Sequence, residues 1–151
     1  MSKINYQIEI IDDFLNKEDF NELCNLNLNK EFKEDFKLYH NIINDQGIIK
    51  SSINQNLLKR IHKNYIDKAK NILKKISPKK FDLYEYSEFT IIITKKKSKF
   101  PIHDDSPNKL LSGVIYLSPE KNNGTIFYSN KKGLNKTSIN WKTNRAVFFS
   151  R

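Results

Sequence analysis

A single cysteine, Cys24, stands among the 151 residues, which excludes an internal disulfide and any zinc site built from several thiolates. No apolar run approaches the roughly 18 to 20 residues needed to span a bilayer. The opening Met1-Ser2-Lys3-Ile4-Asn5-Tyr6 lacks the apolar stretch of a secretory signal. Histidine is scarce, with three in the chain. Acidic residues are outnumbered, 17 against 27 Lys and Arg, for a formal net charge of +10. Such a surplus raises the question of nucleic acid or another acidic partner. The lysines, however, are scattered over every segment among many Asn and Ile. Aromatic residues do not interleave with Arg as they do on single-strand binding platforms. Nucleic-acid binding is therefore disfavoured. Apolar residues at 38% and charged residues at 29% fit a globular chain, and the length suits one domain with one core. The expectation is a soluble, cytoplasmic protein without a membrane partner.

The apolar pattern divides the chain into two textures. A first strand is expected from Tyr6 to Ile11, then a short helix with Asn16 as its N-cap and Glu18 and Asp19 at the positive end of its dipole. Phe20, Leu23 and Cys24 share one face of that helix. Residues 30–52 are weakly patterned and receive no assignment. From Asn54 to Ile76, Leu58, Ile61, Tyr65, Ala69, Ile72 and Ile76 form a helical stripe opposite a Lys-rich face, and Ser77-Pro78 ends it. His62 lies beside the stripe and reads as a surface or boundary histidine. After Lys80 the chain turns to strands: Phe81–Tyr86, Phe89–Thr94, Leu110–Leu117, Thr125–Tyr128, Lys136–Trp141 and Arg145–Phe149, with turn residues between them. Helices followed by short strands imply an α+β domain over 1–151, in which 1–80 is mainly helical support and 81–151 an antiparallel sandwich or barrel packed against the second helix.

The chemistry concentrates in Phe100-Pro101-Ile102-His103-Asp104-Asp105-Ser106-Pro107-Asn108-Lys109. His103 and Asp105 are two apart, so on an extended backbone both side chains leave one face, while Asp104 leaves the other. An imidazole nitrogen and a carboxylate oxygen on one point make half of a metal site. The two-histidine-one-carboxylate arrangement for non-haem iron(II) uses such a pair and keeps open positions. A lone His-x-Asp is common, and the bland reading is a polar loop in which both residues cap local backbone groups.

The flanking blocks make the motif more specific. His103 to Asn108, Leu111-Ser112-Gly113-Val114-Ile115-Tyr116-Leu117-Ser118-Pro119, Asn123-Gly124-Thr125 and Trp141 to Phe149 follow one another in an order and spacing that resembles the prolyl-hydroxylase-like branch of the iron(II)/2-oxoglutarate-dependent dioxygenases. The opening Ile11-Asp12-Asp13-Phe14-Leu15 is similar to the way these domains begin. The likeness is close from Phe89 to Arg151 and looser before. It implies a double-stranded β-helix, or jelly-roll, preceded by supporting helices. It also implies iron(II) held by His103 and Asp105, 2-oxoglutarate as co-substrate with the Tyr116 hydroxyl on its distal carboxylate, and ascorbate as a candidate reductant. The activity implied is oxidative decarboxylation of 2-oxoglutarate to succinate, coupled to hydroxylation of a peptidyl or small-molecule substrate that the sequence does not specify. For Tyr116 the bland reading is an ordinary sandwich-core tyrosine. Arg145 reads as structural.

Two departures stand beside the resemblance. A pocket tyrosine that some relatives carry before the first histidine ligand is replaced by Ile93 or Thr94. The second histidine ligand and the basic anchor for 2-oxoglutarate, which in relatives follow the Phe148-Phe149 strand, have no counterpart, and neither His40 nor His62 is nominated in their place. The expectation is a jelly-roll left incomplete at its C-terminal side by a truncated reading frame, with another chain able to supply the absent strands. A degenerate, non-catalytic jelly-roll binding module is the main rival. A basic nucleic-acid-binding domain, favoured by charge alone, is the third.

Overall fold

The computed structural model describes residues 7–150. The chain runs β1 (Ile8–Ile11), α1 (Lys17–Cys24), β2 (Phe36–Asn44), β3 (Gly47–Lys50), α2 (Gln55–Ile76), a 3-10 turn (Pro78–Leu83), β4 (Ser87–Thr94), β5 (Ser112–Ile115), β6 (Thr125–Phe127), β7 (Thr137–Ile139) and β8 (Ala146–Phe149). The strands form one antiparallel sheet in the order β1-β8-β5, a second in the order β3-β2-β4, and a β6–β7 hairpin. The described residues form a mixed α+β fold with antiparallel sheets and no closed barrel among them. The expected first strand is present from Ile8, and Tyr6 lies outside the described residues.

Each helix begins where a side chain can satisfy its free N–H groups. Asn16 accepts from Asp19 N at 2.8 Å, and Asn54 accepts from Asn56 N and Leu57 N at 2.9 and 3.1 Å. The buried face of α2 is wider than the expected stripe, because Leu57 and Leu73 are buried as well as Leu58, Ile61, Tyr65 and Ile72. The helix meets both sheets, and a helix covered on two sides needs apolar residues over more of its circumference. Burying six large side chains at roughly 1.5–3 kcal/mol each makes α2 the main organiser of the core.

β8 is the central strand of the first sheet, and its two faces serve two cores. Ala146 and Phe148 pack with Phe14, Leu15, Leu57, Ile61 and Tyr65 on the helix side. Val147 packs with Tyr116 and Phe127 on the other side, under the β6–β7 hairpin. The alternation follows from the two-residue period of a strand. Gly124 makes that second layer possible, since a Cβ there would lie 1.7 Å from the Ile139 carbonyl oxygen.

Two expectations are corrected. Phe81–Tyr86 is not a strand: the 3-10 turn occupies Pro78–Leu83, and only after it does β4 begin. Pro78 presets the tight turn, Lys80 N donates to the Ser77 carbonyl at 2.9 Å, and Phe81 and Tyr84 turn back under Lys74 and Lys70 of α2. Residues 30–52, whose weak pattern gives no assignment, hold β2 and β3, and β2 is the longest of the described strands at nine residues. The expectation that 1–80 is mainly helical is thus corrected in part: α1 and α2 hold 8 and 22 residues, and the same stretch supplies the strands β1, β2 and β3. The position on β2 that hides its pattern is Asn41, fully buried on the helix-facing side. Its amide donates to the carbonyls of Tyr39 and Phe89 at 3.2 and 3.0 Å, and its oxygen accepts from Ser52 N at 2.7 Å. A satisfied polar group takes an apolar position.

Candidate metal half-site on the loop between β4 and β5

His103, Asp104 and Asp105 lie on the irregular segment that joins β4 to β5. Contacts to β2, to the turn after β6 and to β5 are among those that hold this loop. Phe100 stacks on Phe36 at the start of β2, with ring centroids 4.8 Å apart. Asp104 pairs with Lys131 at 3.4 Å, beside the turn between β6 and β7. Asp105 accepts a hydrogen bond through Oδ2 from the Ser112 hydroxyl, on the first residue of β5. The alternating directions of Asp104 and Asp105 agree with the two-residue period.

His103 Nδ1 is 2.9 Å from the Pro101 carbonyl oxygen. A carbonyl oxygen only accepts, so Nδ1 carries the proton and, in the neutral ring, Nε2 carries the lone pair. Nε2 lies 4.0 Å from Asp105 Oδ1. The two donors therefore converge. Neighbouring ligands about 2.1 Å from one metal ion are about 3 Å apart, so the pair would close by roughly 1 Å around an ion. A backbone carbonyl holding the other ring nitrogen is the usual way in which a metal-binding imidazole is oriented. His103 is 59% exposed at its side chain and Asp105 18%.

Asp105 is already partnered. Lys109 Nζ donates to Oδ1 at 3.0 Å. Burial raises the affinity of this carboxyl for its proton, but the hydrogen bonds from Ser112 and Lys109 outweigh it and hold the group below the usual aspartate range. The site is thus an ionised carboxylate approached from two directions, by an imidazole with an available nitrogen and by an ammonium. Sequence reading missed Ser112 and Lys109 as partners of Asp105; the i, i+4 spacing of Asp105 and Lys109 was the available signal.

Tyr116 follows the last residue of β5 and lies on the same strand face as Ser112 and Val114 by the two-residue period. Its hydroxyl donates to Thr125 Oγ1 at 2.7 Å, and its ring stacks on Trp141 at 4.4 Å. It is 3% exposed. The turn before β8 fixes its backbone: Tyr116 N donates to the Arg145 carbonyl at 3.0 Å, and Asn144 N donates to the Tyr116 carbonyl at 2.7 Å. Tyr116 thus sits on the site's side of the sheet, in a packed setting. Ser112 and Tyr116, four residues apart, are separated by about 13 Å along the strand.

Among the described residues, no group of three or more His, Cys, Asp or Glu could hold a metal ion. His40 belongs to β2 and contacts Glu88 at 2.7 Å, and His62 on α2 faces Asp45 at 3.4 Å. Neither joins His103. A surface cleft of about 390 Å³ lies elsewhere, between Asp13, Phe20 and Asn144. It contains none of these donors. Arg145 grips Asp12 through Nε at 2.6 Å, which ties the turn before β8 to the end of β1 and accords with a structural part. No helix is long and apolar enough to cross a membrane among the described residues. No protein-family model, curated protein or solved structure matches the chain.

Proposed function

We propose that this chain is an iron(II)/2-oxoglutarate-dependent dioxygenase domain of the hydroxylase type, on a double-stranded β-helix whose described part is open. The observation that carries the reading is His103, with Nδ1 tied to the Pro101 carbonyl and Nε2 facing Asp105. The donor types, one imidazole and one carboxylate, fit two of the three iron ligands. Among the described residues no third donor of this kind joins them. Bound there, iron(II) would supply the oxygen chemistry that decarboxylates 2-oxoglutarate to succinate and hydroxylates a substrate C–H bond. The residues themselves do simpler things. Pro101 selects the imidazole tautomer, and Ser112 orients the Asp105 carboxylate. The Tyr116 hydroxyl is assigned to the distal carboxylate of the co-substrate, exchanging its bond to Thr125 for one to the ligand. A rival reading, a non-catalytic jelly-roll module, draws support from that buried Tyr116 and from the ammonium of Lys109 on Asp105.

Anaerobic equilibrium dialysis against iron(II) separates the two. The oxygenase reading expects weak retention by the 151-residue chain that rises when 2-oxoglutarate is added. His103→Ala and Asp105→Asn should each lower retention at least about tenfold, because affinity follows ligand number. Tyr116→Phe should leave retention without 2-oxoglutarate unchanged and reduce the rise. Retention indifferent to 2-oxoglutarate supports the non-catalytic module. Retention indifferent to both ligand substitutions removes the site altogether.

A further inference from the structure

We infer that Lys109 is a built-in counter-cation of the half-site, which neutralises Asp105 while no divalent ion is bound and must leave before one can enter. The inference rests on the proposal that His103 and Asp105 are metal ligands, and it goes further by assigning a role to a residue outside the ligand set.

The geometry is specific. Lys109 Nζ lies 3.0 Å from Asp105 Oδ1, the same oxygen that His103 Nε2 approaches at 4.0 Å. An ion bound between imidazole and carboxylate would use that oxygen. The ammonium and a divalent cation would then lie within a few ångströms of each other, and like charges at that distance repel strongly in a partly desolvated setting. Rotation of the carboxylate offers no simple alternative, since Oδ2 accepts from the Ser112 hydroxyl on β5. Lys109 is free to withdraw: it lies on a loop, its side chain is 49% exposed, and a lysine stem can carry its charge into solvent. Withdrawal also has a destination. Glu88 of β4 is near enough for the charge of Lys109 to act on its carboxyl, although its main partner is His40. The ammonium therefore stands in for a metal ion on Asp105, and the turn closed by Lys109 N on the Ser106 carbonyl at 3.0 Å brings it back there.

The test is isothermal titration of Co(II), the probe metal, into the full 151-residue chain and its variants at neutral pH. Lys109→Met keeps the length of the side chain and removes its charge. It should bind Co(II) at least about tenfold more tightly than the parent chain, and Asp105→Asn in the same background should abolish the gain. Lys132→Met, which removes an exposed lysine from the neighbouring turn, should leave affinity as it was. Circular dichroism melts of each variant confirm that it is folded. Equal affinities for the parent and Lys109→Met would overturn the role of Lys109 and leave the half-site standing. The same gain from Lys132→Met would overturn it too, as a general charge effect. No Co(II) binding by any of the chains would overturn the inference together with the metal reading beneath it.

Discussion

Asp19 carries a carboxylate into a site with no solvent exposure, where it accepts from Tyr65 Oη at 2.6 Å, Asn16 Nδ2 at 2.8 Å, Asn64 Nδ2 at 2.9 Å and Arg60 Nε at 2.8 Å. Burial pushes its pKa up, and the bonds from Tyr65, Asn64 and Arg60 more than reverse this, so the group stays below the usual aspartate range. The Tyr65 hydroxyl, pushed up to about 12 by burial and by Asp19, remains a donor. A carboxyl whose folded pKa is depressed contributes stability above its unfolded value, near 3.9, and loses it as the pH falls through the folded value. Urea unfolding followed by the single tryptophan, Trp141, should therefore show stability falling on acidification below about pH 5. Asp19→Asn should be less stable by about 2 kcal/mol at pH 7 and show a shallower fall. Equal acid dependence in both chains would mean that other carboxylates carry it. In the sequence Asp19 was legible only as a helix-end acid; its partners on α2 lie more than forty positions away, and no local pattern announces them.

Among the elements, α2 was the most legible because its stripe persists over 22 residues and both ends carry their own signals, Asn54 and Ser77-Pro78. Asn54→Ala removes an acceptor shared by two N–H groups and should lower stability by about 1 kcal/mol, read from the same urea transition. β2 was illegible for the opposite reason. Its helix-facing row contains the buried Asn41, so the apolar alternation breaks at the strand's centre. The 3-10 turn misleads because Phe81, Tyr84 and Tyr86 have strand-forming side chains, while Pro78 and the packing of Phe81 and Tyr84 against α2 decide the backbone. The β6–β7 hairpin depends on one small residue. In Gly124→Ala the new methyl meets the Ile139 backbone, which cannot move aside as a side chain can. The variant should lose at least about 2 kcal/mol, and the emission of Trp141 should shift to the red as its stack on Tyr116 opens. Unchanged emission would show that the hairpin does not seat Trp141.

At the scale of the whole molecule, the late strands were legible in order and place, each somewhat shorter than expected, because turn residues bracket them. How they divide between sheets was not, since pairing depends on distant partners such as Ile11 with Ala146. The same holds for the site. His103 and Asp105 could be read from two-residue spacing, whereas Ser112, Lys109 and the buried setting of Tyr116 follow from the fold. On the proposed reading, in which His103 and Asp105 are two of three iron ligands, the 151-residue chain alone should convert no 2-oxoglutarate to succinate under iron(II) and ascorbate. Succinate formed by the parent chain and lost in His103→Ala would show that a third ligand is already in place. Whether His103 and Asp105 share a metal ion is decided by nuclear magnetic resonance of the three imidazoles during addition of Mn(II), whose unpaired electrons broaden nearby signals. If they do, His103 broadens first, His40 and His62 remain sharp at the same Mn(II) level, and Asp105→Asn abolishes the difference. Broadening of His40 or His62 ahead of His103, or the same response with Asn at position 105, would contradict a shared ion.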